Sequence, residues 1–146
     1  MAASAWRTYN SAKKYLQTAD IDLNAGTLRL GLYKANSNCS TYTLTTFSQL
    51  TGACSAGLIT QIKTPPSITV STGSSAKAIQ LSAGALIFSA SAASAFSVQN
   101  AVMFISGGKL ICWCALSTAG FSVTAGNTLT ITMNTNGVWE LSGGTA

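Results

Sequence analysis

Short apolar runs separated by glycines fill the sequence after residue 66, and this punctuation constrains the fold more than any other feature of the chain. The runs recur at intervals of roughly 8 to 12 residues. They lie at 67–71, 76–81, 86–89, 98–105, 109–116, 121–124, 128–133 and 138–141. Many short strands joined by glycine turns are typical of antiparallel β-sandwiches and barrels. The sequence therefore predicts an all-β fold, either an antiparallel β-sandwich or a jelly-roll-like barrel.

Two segments show the strand pattern most clearly. Residues 27–34 alternate leucine with other residues at the period of two that is typical of a β-strand. Residues 101–105 and 110–115 flank Gly107 and Gly108, so we expect them to pair as a β-hairpin. Both faces of this hairpin are apolar, which implies that either another layer of the fold or another subunit covers the second face.

The first segment has the spacing of a short amphipathic helix. Trp6, Tyr9 and Leu16 recur at positions i, i+3 and i+10, and Ser4 precedes them as a candidate N-cap. The spacing predicts a helix over residues 5–16. The predicted fold class is therefore all-β with a short N-terminal helix.

The length of 146 residues fits one domain. We divide it into an N-terminal arm with the short helix at 1–20 and a β-sandwich domain at 21–146. Within the second part, residues 46–50 predict a single helical turn and residues 58–60 predict a short strand.

The composition excludes most catalytic chemistry. The chain has no histidine, so it lacks Ser-His-Asp and Cys-His nucleophile systems and imidazole ligands for zinc, copper or iron. Its carboxylates are Asp20, Asp22 and Glu140, too few to predict a glycosidase pair or a magnesium site. No GxxxxGK[ST] or GxGxxG phosphate loop occurs. We therefore expect no enzymatic activity, no cofactor and no bound metal.

The chain has few charged residues, and its net charge is positive. Eight lysines and arginines are set against three acids, for a net charge of +5. Most of the cations are scattered singly, whereas Arg7, Lys13 and Lys14 lie together near the N-terminus. Nucleic-acid binding needs a longer basic stripe with exposed aromatic residues, so a solvated or docking face is expected instead. Because residues 1–7 reach a charge at once, we expect neither a signal peptide nor a membrane span there.

The four cysteines are expected to be reduced, because cytosolic thiols are kept so. Cys112 and Cys114 are two residues apart in an apolar strand, so they point to the same face and are predicted to be small buried hydrophobic residues. A metal site would need C-x2-C spacing and further ligands. Cys39 and Cys54 lie in loop-like sequence, where a disulfide after oxidation is the alternative.

Several motifs, taken in order, resemble a family of small structural proteins encoded by tailed bacteriophages. The opening at 9–16 begins with an aromatic-Asn pair and leads into Ile21-Asp22-Leu23 and then into 27–33, as in that family. Later motifs are similar in order and spacing at 86–90, 101–104, 108–111, 126–131 and 136–139. The similarity covers most of the chain except about residues 35–55, and Gly57-Leu58 stands where the family has a glycine-aromatic pair.

The resemblance implies a virion protein. It implies capsid decoration, in which the protein acts as a cement that binds across neighbouring subunits of the major capsid protein. The alternative is a tail, neck or fibre component that binds a host-surface glycan. In that alternative Trp6, Trp113 and Trp139 would stack on the ligand, whereas their apolar neighbours favour core or interface anchoring. Neither nucleic acid nor a membrane is expected as a partner.

The N-terminal segment is the predicted docking site. Its apolar residues are expected to bury one edge while its cations face an acidic neighbour, with Trp6 as the anchor. The predicted interface residues are Trp6, Arg7, Tyr9, Lys13, Lys14 and Leu16. The low charge density and the two-faced apolar hairpin also predict self-association as a homotrimer, which would suit a three-fold position on a shell.

Overall fold

The structure is a computed structural model that describes residues 3–18, 20, 23, 28–72, 78–82, 84–133 and 139–142. The helix in this part of the chain is α1 (Asn10–Gln17), and one 3-10 turn spans Phe47–Gln49. The strands are β1 (Arg7–Thr8), β2 (Leu28–Tyr33), β3 (Ile62–Lys63), β4 (Thr69–Thr72), β5 (Ala78–Ser82), β6 (Leu86–Ser89), β7 (Phe96–Val98), β8 (Asn100–Ile105), β9 (Leu110–Ala115), β10 (Phe121–Val123), β11 (Thr128–Ile131) and β12 (Trp139–Ser142). The predicted fold class, all-β with a short N-terminal helix, is confirmed. The described sheets are antiparallel and do not close into a barrel.

The largest sheet has five strands in the order β1-β9-β8-β2-β3. β2 pairs with β8 along its whole length, and β8 pairs with β9, so the predicted hairpin is confirmed. Its loop contains Gly107 and Gly108 with φ of +105° and +103°, a conformation that glycine adopts without steric cost. A bulge between Met103 and Phe104 shifts the register near this end of the hairpin.

Both faces of this sheet are buried at its centre. Leu30 lies opposite Met103 on one face, and the next residues along, including Val102 and its partner Trp113, point to the other face. All four side chains are buried. The apolar second face of the hairpin, which the sequence assigns to another layer or another subunit, is therefore buried within one chain.

The loop between β2 and β3 supplies part of that cover. The Phe47 ring stacks on Phe104, with ring centres 4.4 Å apart and planes inclined by 30°. Tyr42 from the same loop lies against Trp113, with ring centres 6.5 Å apart. The loop thus packs aromatic side chains on the face that the hairpin leaves apolar.

The chain on either side of the hairpin continues the same pairing. β7 pairs with β10, β6 with β11, and β5 with β12, each pair farther along the chain from the glycine turn than the one before. The segment from β5 to β12 is thus a long, interrupted antiparallel ribbon, and β4 adds a third strand beside β5. This arrangement produces the regular spacing of short strands in the sequence.

The N-terminal arm lies along the outer edge of β9. Ser4 N donates to Ala115 O at 2.7 Å, β1 pairs with the middle of β9, and Tyr9 N donates to Ile111 O at 3.0 Å. These bonds pair backbone groups of β9 that would otherwise form a free edge. The arm is therefore an edge strand of the main sheet.

The predicted helix over 5–16 is wrong in its first turn, because α1 begins at Asn10. Ser4 does not cap it, and the N-cap residue is Tyr9. Trp6 lies in the extended arm, so it shares no helical stripe with Leu16. An extended segment alternates inward and outward residues, and over so few residues this pattern resembles helical spacing.

Two other expectations fall on the loops. The helical turn predicted at 46–50 is confirmed as the 3-10 turn, with Thr46 and Gln49 forming a capping box. The strand predicted at 58–60 is wrong, because that segment makes a single bridge, between Leu58 and Ala90. Asp22 and the side chains of Trp139 and Glu140 lie outside the described residues.

Candidate docking surface

β1 places Arg7 at the outer edge of the main sheet beside two aromatic rings. Arg7 lies opposite Trp113 in the register, so both side chains stand on the same face. The guanidinium carbon lies 5.6 Å from the centre of the Trp113 ring, and Nη1 donates to the Tyr42 hydroxyl at 3.3 Å. These two contacts hold an exposed cation in a defined position.

A groove lies beside this cluster, between α1 and the loop that carries Tyr42. Asn10 N donates to Tyr42 O at 3.3 Å, and Ser11 Oγ donates to Leu44 O at 3.1 Å, so the helix is tied to the loop. The groove has a volume of about 380 Å³ and is lined by Asn10, Ser11, Lys14, Tyr15, Thr43 and Thr45. Its hydroxyl, amide and ammonium groups suit a polar or acidic segment of a partner.

Half of the eight cations of the chain lie on β1, on α1 or at the hairpin end next to α1: Arg7, Lys13, Lys14 and Lys109. Lys109 Nζ lies 4.9 Å from the centre of the Tyr15 ring and donates to Asp20 O at 2.9 Å, which connects the hairpin to the helix. Cations on neighbouring elements raise the local positive potential. We use "N-terminal surface" for Arg7, Lys13, Lys14, Tyr42 and Lys109.

The structure places three of the six predicted interface residues on this surface, the exposed Arg7, Lys13 and Lys14. Trp6 and Leu16 are half-buried, and Trp6 precedes Arg7 in the extended arm, so the Trp6 and Arg7 side chains point to opposite faces. Tyr9 lies deeper still. It is fully buried, and its hydroxyl donates to Cys39 O at 2.6 Å, so it belongs to the core and is not available to a partner.

Sequence reasoning did not include Tyr42 or Lys109 in the site. Tyr42 lies 35 residues from Arg7 in a loop without hydrophobic periodicity, so no local pattern connects the two. Lys109 directly follows Gly107 and Gly108. These glycines predict the hairpin turn, but nothing in the sequence around them predicts that Lys109 lies beside the helix. Both join the surface through tertiary packing.

The four cysteines are free and buried, so Cys39 and Cys54 do not form a disulfide. Burial raises the pKa of all four thiols, that of Cys54 to about 11 and that of Cys114 to about 12. Thiolate is the reactive form, so these side chains are unreactive at neutral pH.

No cluster of three or more potential metal ligands occurs among the described residues. None of the described helices is long and apolar enough to cross a membrane.

A second concave feature lies at the closed end of the β8–β9 hairpin. This cleft has a volume of about 510 Å³, and Arg29 from β2 and Phe47 from the 3-10 turn contribute to its lining. None of the residues of the N-terminal surface lines it. The cleft and the N-terminal surface are nevertheless connected, because Thr46 of the cleft forms a β-bridge with Lys109.

Comparison of the chain with protein-family models, with curated proteins and with solved structures finds no match. By its fold the protein is an all-β chain, with cationic and aromatic side chains along one edge of the main sheet and a cleft at the hairpin end.

Proposed function

We propose that the protein is a structural component of a virion that decorates a tailed-phage capsid and stabilises it by binding across neighbouring subunits of the major capsid protein. The N-terminal surface is the proposed contact. The ordered sequence motifs support this role, because they resemble those of small phage structural proteins. The role requires binding and added buried area but no catalysis.

The arrangement around Arg7 is the observation that carries the proposal. A cation stacked over Trp113 and bonded to Tyr42 keeps its position before a partner arrives, so less side-chain freedom is lost on binding. Arginine and aromatic residues are also the types that dominate binding energy at interfaces. The exposed Lys13 and Lys14 add long-range attraction to an acidic surface.

The rest of the surface is sparsely charged. The chain exposes 7438 Å² and carries eleven charged side chains, about one per 700 Å². Soluble monomers usually carry a denser mixture of charges. A surface of this kind supports a role within an assembly, where neighbouring subunits cover part of it.

We include the protein itself among the proposed partners, as a homotrimer. A three-fold or quasi-three-fold position on a shell would bring three N-terminal surfaces into contact with equivalent acidic sites. The virion, assembled in the host cytoplasm, is the proposed location.

Binding to particles that lack the protein tests the proposed contact. Purified chain is mixed with such particles, and the bound fraction is measured after sedimentation at several salt concentrations. Lys13→Gln/Lys14→Gln should weaken binding about tenfold or more and reduce its salt dependence, since two charges leave the interface. The outward position of both lysines predicts an unchanged unfolding temperature.

A pair of half-buried lysines elsewhere serves as the charge control, and its unfolding temperature is measured alongside because Lys63 Nζ donates to Ile87 O at 2.6 Å. Lys34→Gln/Lys63→Gln removes the same net charge away from the N-terminal surface, and it should change binding less than threefold. If the two double variants bind equally, the N-terminal surface is not the contact. Failure of the unaltered chain to bind any depleted particle would overturn the decoration role itself.

A tail, neck or fibre position is the second candidate function, and the cleft beside Arg29 favours it because glycan-binding components need a concave site. Copy number separates the two positions. A decoration protein is among the most abundant proteins of a purified particle, whereas a tail component is rare. Quantitative mass spectrometry of particles, with the major capsid protein as the internal standard, measures this ratio.

A further inference from the structure

The hydrogen bond between Arg7 and Tyr42 is long for an arginine. Arg7 Nη1 donates to the Tyr42 hydroxyl at 3.3 Å, beyond the usual range of about 2.7 to 3.2 Å. The acceptor is neutral, although arginine forms its shorter and stronger bonds with carboxylates. Among the described residues no carboxylate pairs with Arg7, and Asp20 lies beyond the other end of α1, where its Oδ2 accepts from Thr18 Oγ1 at 2.6 Å. The guanidinium therefore has a weak partner where a carboxylate would be a strong one.

The sheet holds this guanidinium in place at the surface. Arg7 lies opposite Trp113 in the register, and its guanidinium carbon lies 5.6 Å from the centre of the Trp113 ring. Arginine has five N–H donors, and the bond to Tyr42 uses one of them. The exposed side chain can therefore present its fork to a second acceptor without leaving the Trp113 ring.

The indole of Trp113 is the second group in this cluster that lacks an acceptor. The side chain is 7% exposed, and Nε1, which can only donate, is buried without a hydrogen-bond acceptor among the described residues. Burying a donor in this way costs free energy, so native proteins rarely do it. The Tyr42 ring lies against this indole, with ring centres 6.5 Å apart. Tyr42 thus contacts both of the groups that need a better acceptor.

We infer that the cluster of Arg7, Trp113 and Tyr42 receives a glutamate or aspartate side chain of the partner, and that the Tyr42 hydroxyl occupies the place of this carboxylate until then. One carboxylate oxygen would take the Arg7 bond from Tyr42, and the movement of the Tyr42 ring would open the indole N–H to the other oxygen. This inference rests on the proposed function, because it names the chemistry of the capsid contact. Tyr42 is a displaceable cover over a carboxylate pocket.

The groove beside α1 extends the pocket so that it fits a short acidic segment. Thr43 follows Tyr42 in the chain and lines the groove together with Lys14. Lys14 is exposed, and none of the described residues that line the groove is acidic. A segment with one carboxylate on Arg7 can therefore run toward the Lys14 ammonium with a second. Charge complementarity thus favours a partner segment with two neighbouring acidic side chains.

A nucleic-acid phosphate is the competing ligand for a surface of arginine and lysine. Single-stranded nucleic acids stack their bases on several exposed aromatic side chains along a basic groove. Tyr42 is the exposed aromatic residue of the part of the chain that the structure describes, and its ring already packs against Trp113. One covered ring offers no such platform, so the observations favour a carboxylate.

Nuclear magnetic resonance of the full-length, ¹⁵N-labelled protein tests the pocket directly. The probe is a short glycine-serine peptide with two glutamates, blocked at both ends and added to about 20 mM, and the same peptide with two glutamines is the uncharged comparison. Replacing each of the three tryptophans with phenylalanine in turn assigns the indole N–H signals. The Trp113 signal should move downfield and saturate, because its N–H gains an acceptor. The glutamate peptide should bind at least tenfold more tightly than the glutamine peptide.

Three variants separate the pocket from general charge attraction. Arg7→Lys keeps the charge but lacks the fork, and it should weaken binding of the glutamate peptide about tenfold. Tyr42→Phe keeps the ring but removes the competing acceptor, so binding should tighten about twofold to threefold. Lys34→Gln removes a cation away from the N-terminal surface and should change binding less than threefold. The backbone amide signals of each variant verify that it is folded.

The inference is overturned if the Trp113 signal does not shift, if the glutamine peptide binds equally well, or if Arg7→Lys binds as tightly as the unaltered protein. Weaker binding by Tyr42→Phe would contradict the role of Tyr42 as a displaceable cover. Tighter binding of a thymidine oligonucleotide than of the glutamate peptide would overturn the pocket in favour of nucleic acid. Binding to depleted particles without peptide binding would overturn the pocket alone, whereas peptide binding without particle binding would overturn the decoration role alone.

Discussion

Gly57 has a left-handed backbone conformation at a place where no side chain fits. Its φ is +79°, and an ideal Cβ would lie 2.1 Å from the carbonyl oxygen of Ala95. We predict that Gly57→Ala lowers the free energy of unfolding by about 3 kcal/mol or more. Backbone strain of about 1 to 2 kcal/mol would add to an overpacking cost of similar size. Urea unfolding followed by tryptophan fluorescence measures the loss.

Gly126 provides the matched control for this substitution. Its φ is +77°, and nothing lies within 4 Å of an ideal Cβ. Gly126→Ala therefore carries the strain without the clash, and it should cost only about 1 to 2 kcal/mol. Equal losses in the two variants would contradict the close approach of Ala95 to Gly57.

The buried thiols make the folded protein sensitive to alkali. Cys54 Sγ donates to Ser97 O at 3.0 Å, and burial raises its pKa to about 11, above about 8.5 in the unfolded chain. The unfolded state therefore loses the proton first as pH rises. The contribution of Cys54 to stability is complete below about pH 8.5 and is lost between there and about pH 11, by up to about 1.4 kcal/mol per pH unit.

Unfolding free energies under reducing conditions, at several values between about pH 7.5 and 10.5, test this dependence. Tyr9 and Tyr33 are also buried with a raised pKa and add a slope of the same sign at higher pH. The comparison of the unaltered protein with Cys54→Ala isolates the thiol. Above about pH 8.5, the free energy of unfolding should fall less steeply with pH in the variant than in the unaltered protein. Identical slopes would contradict a raised pKa at Cys54.

The arm that ends in β1 covers the edge of β9, a strand in which all residues but the last are buried. Deleting residues 1–8 removes the backbone bonds to this edge while Tyr9 and α1 remain. The backbone bonds account for a loss of about 2 to 4 kcal/mol, at about 1 kcal/mol for each hydrogen bond, and the lost packing of the half-buried Trp6 adds to it. The free edge should also promote aggregation. Urea unfolding and light scattering measure the two effects.

Outward-facing positions of the same arm supply the control for this deletion. Ala3 and Ala5 are exposed, so Ala3→Ser/Ala5→Ser changes the arm without touching its pairing. Both readouts should stay at the values of the unaltered protein. A truncated protein that remains equally stable and free of aggregates would show that β9 needs no edge partner.

Elements with a local signal are the ones that sequence predicts well. The alternation over 27–34 predicts β2 to within one residue at each end, because one period describes the whole strand. The hairpin of β8 and β9 is predictable because a glycine turn lies between two apolar runs. The start of α1 is not predictable from the sequence, because the residues before it pair with β9, more than a hundred positions away. A short apolar pattern cannot reveal such a distant partner.

At the scale of the whole molecule, the second face of the apolar hairpin, which the sequence assigns to another layer or another subunit, is buried within one chain. The residues that cover it come from a loop without periodicity, and Phe47 and Tyr42 stand out there only through their aromatic rings. Strand spacing therefore predicts the class of fold, but the order of strands and the choice between loop and subunit depend on tertiary packing. The same limit applies to the docking surface, where only the cations near the N-terminus are predictable.

The proposed self-association therefore needs a surface other than the faces of the hairpin. Among the described residues the most exposed large aliphatic side chains are Ile59 and Ile87, at 67% and 53%. They are near one another, because Ile59 N donates to Ser89 O at 3.1 Å and Ile87 lies on the same strand. We predict that the homotrimer, if it forms in solution, buries this pair.

Sedimentation velocity of the purified chain at about 50 μM measures the association. A species of three times the 14.9 kDa chain is expected, and Ile59→Thr/Ile87→Thr should shift it to the monomer without lowering the unfolding temperature. Threonine keeps the branched shape that strands favour while it removes apolar area. Arg7→Gln, which alters the N-terminal surface instead, should leave the trimer intact. A monomer in every sample would contradict the proposed homotrimer in solution.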